Sequence, residues 1–158
     1  MTGSVHACAV ALDGHGLLIR GPAGAGKSTL ARALVAHWTG LGRFARLVAD
    51  DHVALELRGG RLVARVPHRI EGLVEVHGVG ILPVRHLAAV RLTHIVDLVA
   101  RPERMPEEGA ETCVIDGVGL AALCLSQRST TASVLAVAAV LAADGLTCAP
   151  LAPQRPPT

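Results

Sequence analysis

Aromatic residues are all but missing from this chain of 158. Trp38 and Phe44 stand alone, and there is no tyrosine. A surface that stacks nucleic-acid bases cannot be built from that material. A folded core has to come from Val, Leu, Ile and Ala, which make up most of an apolar content just over half. Cys8, Cys113, Cys124 and Cys148 lie far apart, with no C-x-x-C pair and no histidine at zinc-finger spacing. That pattern argues against a disulfide framework or a zinc site and for reduced thiols. No apolar run approaches the roughly 18 to 20 residues that span a bilayer. Residues 1–10 lack the basic start and apolar stretch of a signal peptide. The expectation is a soluble, cytoplasmic protein. A formal charge of +2 is too small to indicate a nucleic-acid or membrane partner. Lysine is rarest of the basic residues: Lys27 is the only one, and the other fourteen are arginine.

What is present reads as an α/β chain. Residues 6–12 and 16–20 are strands around the turn Asp13-Gly14-His15-Gly16, and 28–38 has helical composition. A strand at 46–49 ends on Asp50-Asp51. A hairpin follows over 52–58 and 61–66, turning at Gly59-Gly60. Short apolar runs at 73–76 and 80–84, strands at 91–99, 113–115 and 120–125, and an Ala/Val/Leu helix at 130–143 complete the pattern. So many strands per helix predict a mixed, twisted sheet flanked by helices rather than a regular βαβ alternation. Residues 1–148 read as one domain. The tail 149–158, with four prolines, reads as disordered.

Gly21-Pro22-Ala23-Gly24-Ala25-Gly26-Lys27-Ser28 matches G-x-x-x-x-G-K-[ST] and sits between a strand and a helix, as a P-loop must. Its glycines let backbone N–H groups surround phosphate oxygens. The helix that follows adds its positive end. Lys27 is placed to reach the β- and γ-phosphates of ATP, and the Ser28 hydroxyl to bind Mg²⁺. A compact ammonium suits a phosphate cradle, and this lysine-poor chain keeps its one lysine there. The paired acids Asp50 and Asp51 supply what P-loop enzymes need after a neighbouring strand. One can serve the metal and the other can take a proton.

Taken in order, several segments resemble the HPr kinase/phosphorylase family in its short form without an N-terminal domain. They are Ser4-Val5-His6, Asp13-Gly-His-Gly, the P-loop, residues 47–51, the stretch 72–81 around Glu75, and Val96-Asp97-Leu98 with Pro102-Glu103-Arg104. The resemblance implies a P-loop core similar to phosphoenolpyruvate carboxykinase. It implies ATP-dependent phosphorylation of a serine on the phosphocarrier protein HPr, with reversal by phosphorolysis, in a homo-oligomer, typically a hexamer. Carried over by position, Lys27 is the P-loop lysine, Ser28 a magnesium ligand beside Asp50, and Asp51 the group that accepts the serine proton. Glu75 becomes a second magnesium-binding acid, His6 a histidine near the phosphates, and Arg104 a loop arginine that neutralises the transferring group.

Three departures qualify this. His77 stands where the family has arginine after Glu75, exchanging a permanent bidentate charge for an imidazole. The link over residues 37–46 is longer than usual. Residues 123–128 lack the Pro-Val-x-x-Gly-Arg pattern tied to the reverse reaction, so little phosphate-driven reversal is expected. Two other functions fit the P-loop alone. One is an ordinary small-molecule kinase holding magnesium on Asp97, at the end of His94-Ile95-Val96-Asp97. The other is a nucleotide-sensing module with little catalysis.

Overall fold

The structure, a computed structural model, describes residues 3–67, 71–107 and 111–145. In chain order its strands are β1 (Ser4–His6), β2 (Cys8–Leu12), β3 (His15–Arg20), β4 (Ala45–Ala49), β5 (His52–Arg58), β6 (Arg61–Arg65), β7 (Leu73–Val76), β8 (Gly80–Pro83), β9 (Ala89–Val99), β10 (Thr112–Ile115) and β11 (Val118–Ser126). The helices are α1 (Lys27–Gly40) and α2 (Thr130–Gly145). The tail expected at 149–158 lies outside the described residues.

The expected mixed sheet is present, with strand order β1-β5-β6-β9-β3-β2-β4. Its organising strand is β9. One edge pairs in parallel with β3; the other pairs first with β6, antiparallel, and then with β11, in parallel. β10 pairs with β11, while β7 and β8 form a separate two-stranded sheet. Residues 6–12, expected as one strand, form two. The N–H of Ala7 leaves the ladder to donate to the Asp51 carbonyl at 3.2 Å. β1 therefore pairs with β5, and β2 with β3 and β4.

Both faces of the central strands are covered, which explains their nearly unbroken apolar sequence. Along β2 the side chains alternate. Cys8, Val10 and Leu12 join Leu30, Leu34, Trp38, Val134, Val137 and Leu141 of the two helices. Ala9 and Ala11, with Ala7 just before the strand, join Leu18, Ile95 and the curled β5–β6 hairpin through Val53, Leu55, Leu62 and Ala64. Gly16 permits the close approach of β3 to β9, since a Cβ there would lie 2.1 Å from the Arg91 carbonyl oxygen. No helix among the described residues is long and apolar enough to cross a membrane.

Candidate functional site

The loop between β3 and α1 turns sharply through Gly24 and Gly26, both at positive φ (77° and 96°). α1 then begins at Lys27 with no side-chain cap and no acid in its first turn. Its first residues Lys27, Ser28 and Thr29, with Ala23, Gly24, Gly26, His6 and Asp51, line a cleft of about 300 Å³. The uncapped N–H groups of a helix start make that cleft attractive to an anion. Lys27 is only 6 % exposed. Its ammonium donates to the carbonyls of Gly21 (2.8 Å) and Pro22 (3.1 Å), which use two of its three hydrogens. A buried ammonium held only by carbonyl oxygens fits a phosphate partner.

The paired acids divide. The Ser28 hydroxyl donates to Asp50 Oδ1 at 2.6 Å, and the Cys8 thiol donates to the same oxygen at 3.2 Å. Burial, with the Asp50 charge beside it, pushes the Cys8 pKa up to about 12 and keeps it a donor. A serine hydroxyl and a carboxylate on one spot form a hard-oxygen donor set that suits magnesium. Asp51 turns the other way, at a left-handed φ of 69° that an aspartate tolerates better than most residues. Its carboxylate contacts His6 Nε2 and, at 3.3 Å, His52 Nδ1. His6 and His52 are cross-strand partners between β1 and β5, with their rings edge to face 5.8 Å apart.

His6, Lys27, Ser28, Asp50 and Asp51 are thus brought together. Glu75 and Arg104 are not. Glu75 is exposed on the separate β7–β8 sheet and Arg104 is exposed in the loop after β9, and neither lines the cleft. His77 is exposed at the turn between β7 and β8. Asp97 lies on the opposite face of the sheet from α1, because Val96 and Leu98 on either side of it pack into the helical core. It is held there by Arg20, whose Nε and Nη2 donate to its two oxygens at 2.7 and 2.8 Å.

Three residues escape motif reading. Cys8 and His52 touch the acids, and only the adjacency of His52 to Asp51 hinted at it. Arg128, between β11 and α2, donates from its backbone N–H to the Ala25 carbonyl (3.0 Å) and from Nε to the Gly24 carbonyl (3.2 Å). It therefore rests on the loop before α1 from a segment a hundred residues downstream, for which no sequence signal exists.

Residues 1–112 match the family model described as the HPr Serine kinase C-terminal domain. The HPr kinase/phosphorylase of Peptoclostridium acidaminophilum is 37% identical over 108 residues, which are 66% of this chain and 33% of that protein. That of Exiguobacterium sibiricum is 39% identical over 106 residues, 65% of this chain and 32% of that protein. The chain thus spans about a third of the length of these curated relatives. Among solved structures, the HPr(Ser) kinase/phosphatase from Coxiella burnetii superposes with a TM-score of 0.72 at 24% identity, covering 90% of each chain, which is a likeness of fold. With the family match extending over most of its length, this chain belongs to the HPr serine kinase C-terminal domain family.

Proposed function

We propose that the chain transfers the γ-phosphoryl group of ATP to a serine hydroxyl of an HPr-type phosphocarrier protein. The observation that carries this is one cleft at a helix start lined by Lys27, Ser28 and the Asp51–His6 pair, with Asp50 bonded to Ser28 beside it. Bound ATP with Mg²⁺ would supply the phosphoryl group and the counter-charge that makes it transferable. Lys27 would exchange its carbonyl partners for phosphate oxygens. Ser28 and Asp50 would hold the metal, leaving Asp51 to accept the serine proton. His6 and His52 orient the Asp51 carboxylate from both sides. Glu75, as a second magnesium acid, and Arg104, as a charge-neutralising group, enter this reading through the family resemblance alone. The same resemblance supports a homo-oligomer, hexameric in type, which agrees with the exposed apolar Val79 and Ile81, and the spaced cysteines support a cytoplasmic protein. Residues 1–148 are read as one kinase domain, because β1 near its start and α2 near its end pack on the same sheet. Reversal by phosphate is expected to be weak.

The ordinary small-molecule kinase, which needs Asp97 on magnesium, is disfavoured by the Arg20 clamp and by the face on which Asp97 lies. The deciding experiment is transfer from labelled ATP with Mg²⁺ to the HPr-type carrier of the same organism. Wild type should label a carrier serine. Lys27→Ala and Asp51→Asn should each lose about 100-fold or more, and Asp97→Asn should keep most of its activity. ATP turnover without a labelled carrier, lost in Asp97→Asn alone, would favour the small-molecule kinase. Saturable ATP binding with no labelled carrier would favour a nucleotide-sensing module.

A further inference from the structure

At the end of β3 remote from the P-loop, about five residues of extended chain or roughly 17 Å away, a second polar cluster closes. His15 opens β3, His94 lies in the middle of β9, and Asp144 is in the last turn of α2. Their ligand-capable atoms all lie within 4.8 Å of one another. His94 is 3 % exposed, and its Nε2 sits 2.6 Å from Asp144 Oδ2. The His15 and His94 rings meet edge to face at 5.5 Å.

The Thr93 hydroxyl donates to the Gly16 carbonyl at 3.3 Å, so its oxygen is free to accept from His94 Nδ1 at 2.7 Å. When Nδ1 carries the hydrogen, Nε2 turns a lone pair toward Asp144 Oδ2 and is free to bind a cation beside it. Asp144 has a further reason to want a cation: it is an acid at a helix C-terminus, where the helix's own partial charge is negative.

We infer that His15, His94 and Asp144 form a metal site for a Zn²⁺-type ion, with Thr93 as the outer partner that fixes the His94 tautomer. Two imidazoles and one carboxylate are a donor set for that ion class. Tetrahedral bonds of about 2.0–2.1 Å put neighbouring ligand atoms roughly 3.3 Å apart. That value falls between the 2.6 Å of the His94–Asp144 pair and the 4.8 Å limit of the cluster. Asp144 is 44 % exposed, so the fourth position opens to solvent. Cysteine spacing argued against zinc because it tests neighbours in sequence, whereas these ligands come from three separate elements. The site would staple the end of α2 to the start of β3, independently of any nucleotide chemistry.

The test uses the untagged full chain stripped of metal and titrated with Zn²⁺ or Co²⁺ alone. One equivalent should bind, Co²⁺ should show the visible absorption of tetrahedral coordination, and Zn²⁺ should raise the Tm. Asp144→Asn, which keeps the shape of the side chain, and His15→Ala should each weaken binding at least tenfold, and Thr93→Val about tenfold. His6→Ala, at the other end of the sheet, should leave the titration unchanged. No saturable binding, or binding that follows His6 instead of His15 and Asp144, overturns the inference and leaves His94–Asp144 as a plain ion pair.

Discussion

Asp50 and Asp51 are neighbours in sequence and opposites in the fold. One carboxylate is turned inward to the Ser28 hydroxyl and the Cys8 thiol, the other outward between two histidines. The motif and the spacing made Lys27, Ser28 and the acid pair legible, because a phosphate cradle constrains residue type position by position. Arg128 was not legible, because its link to Gly24 and Ala25 depends on how β11 enters the sheet. Its Nε bond to the Gly24 carbonyl is exposed, so its loss should cost about 1 kcal/mol, or about fivefold in ATP affinity. Isothermal titration of Arg128→Ala with Mg-ATP checks this. Arg128→Gly should lose the same amount, since it suits the positive φ of 55° but also lacks the guanidinium. An unchanged Kd in both variants would remove Arg128 from the site.

Among the elements, the β5–β6 hairpin was easiest to read. Gly59 and Gly60 both adopt positive φ (54° and 73°), as a two-residue turn between alternating strands requires. The break between β1 and β2 carried no signal, because Ala7 is neither a turn residue nor a breaker. Only the pull of its N–H to Asp51 reveals it. The pairing of β3 with β9 was equally hidden, yet it leans on one position. In Gly16→Ala the new methyl meets the Arg91 backbone, which cannot rotate away, so the strands must part. We expect a loss of about 3 kcal/mol or more in urea unfolding. Gly119→Ala, where the nearest obstacle is a Thr112 methyl at 3.7 Å, should lose less than about 1 kcal/mol. Equal losses in the two variants would show that the close approach of β3 to β9 does not matter.

For the molecule as a whole, sequence resemblance and structural completeness stop at different points. Family resemblance fades after Arg104 and the family model matches through residue 112, yet β11 and α2 lie beyond. They complete the β9 edge and bury Leu120, Val134, Val137 and Leu141. Each such side chain contributes about 1.5–3 kcal/mol, so together they rival the whole stability of a typical domain, about 5–15 kcal/mol. A chain ended at residue 112 should therefore show no cooperative thermal transition by circular dichroism, although it keeps the matched segment. A sharp transition would mean that the first 112 residues fold alone. Composition and period had placed β11 and α2 correctly, but could not show that they are indispensable.

The place of β9 also sets a clock. β3 emerges early in synthesis with Leu17, Leu18 and Ile19, all fully buried in the end, and the strand that must lie beside it follows some seventy residues later. Until then an apolar edge waits without its neighbour, open to the wrong partner. Pairings this distant along the chain place folding in the slow range, on the order of milliseconds to seconds. The yield of native protein in a cell then depends on a race between the arrival of β9 and the meeting of two unfinished chains. Cooler, slower expression, which lowers the number of unfinished chains present at once, favours the first.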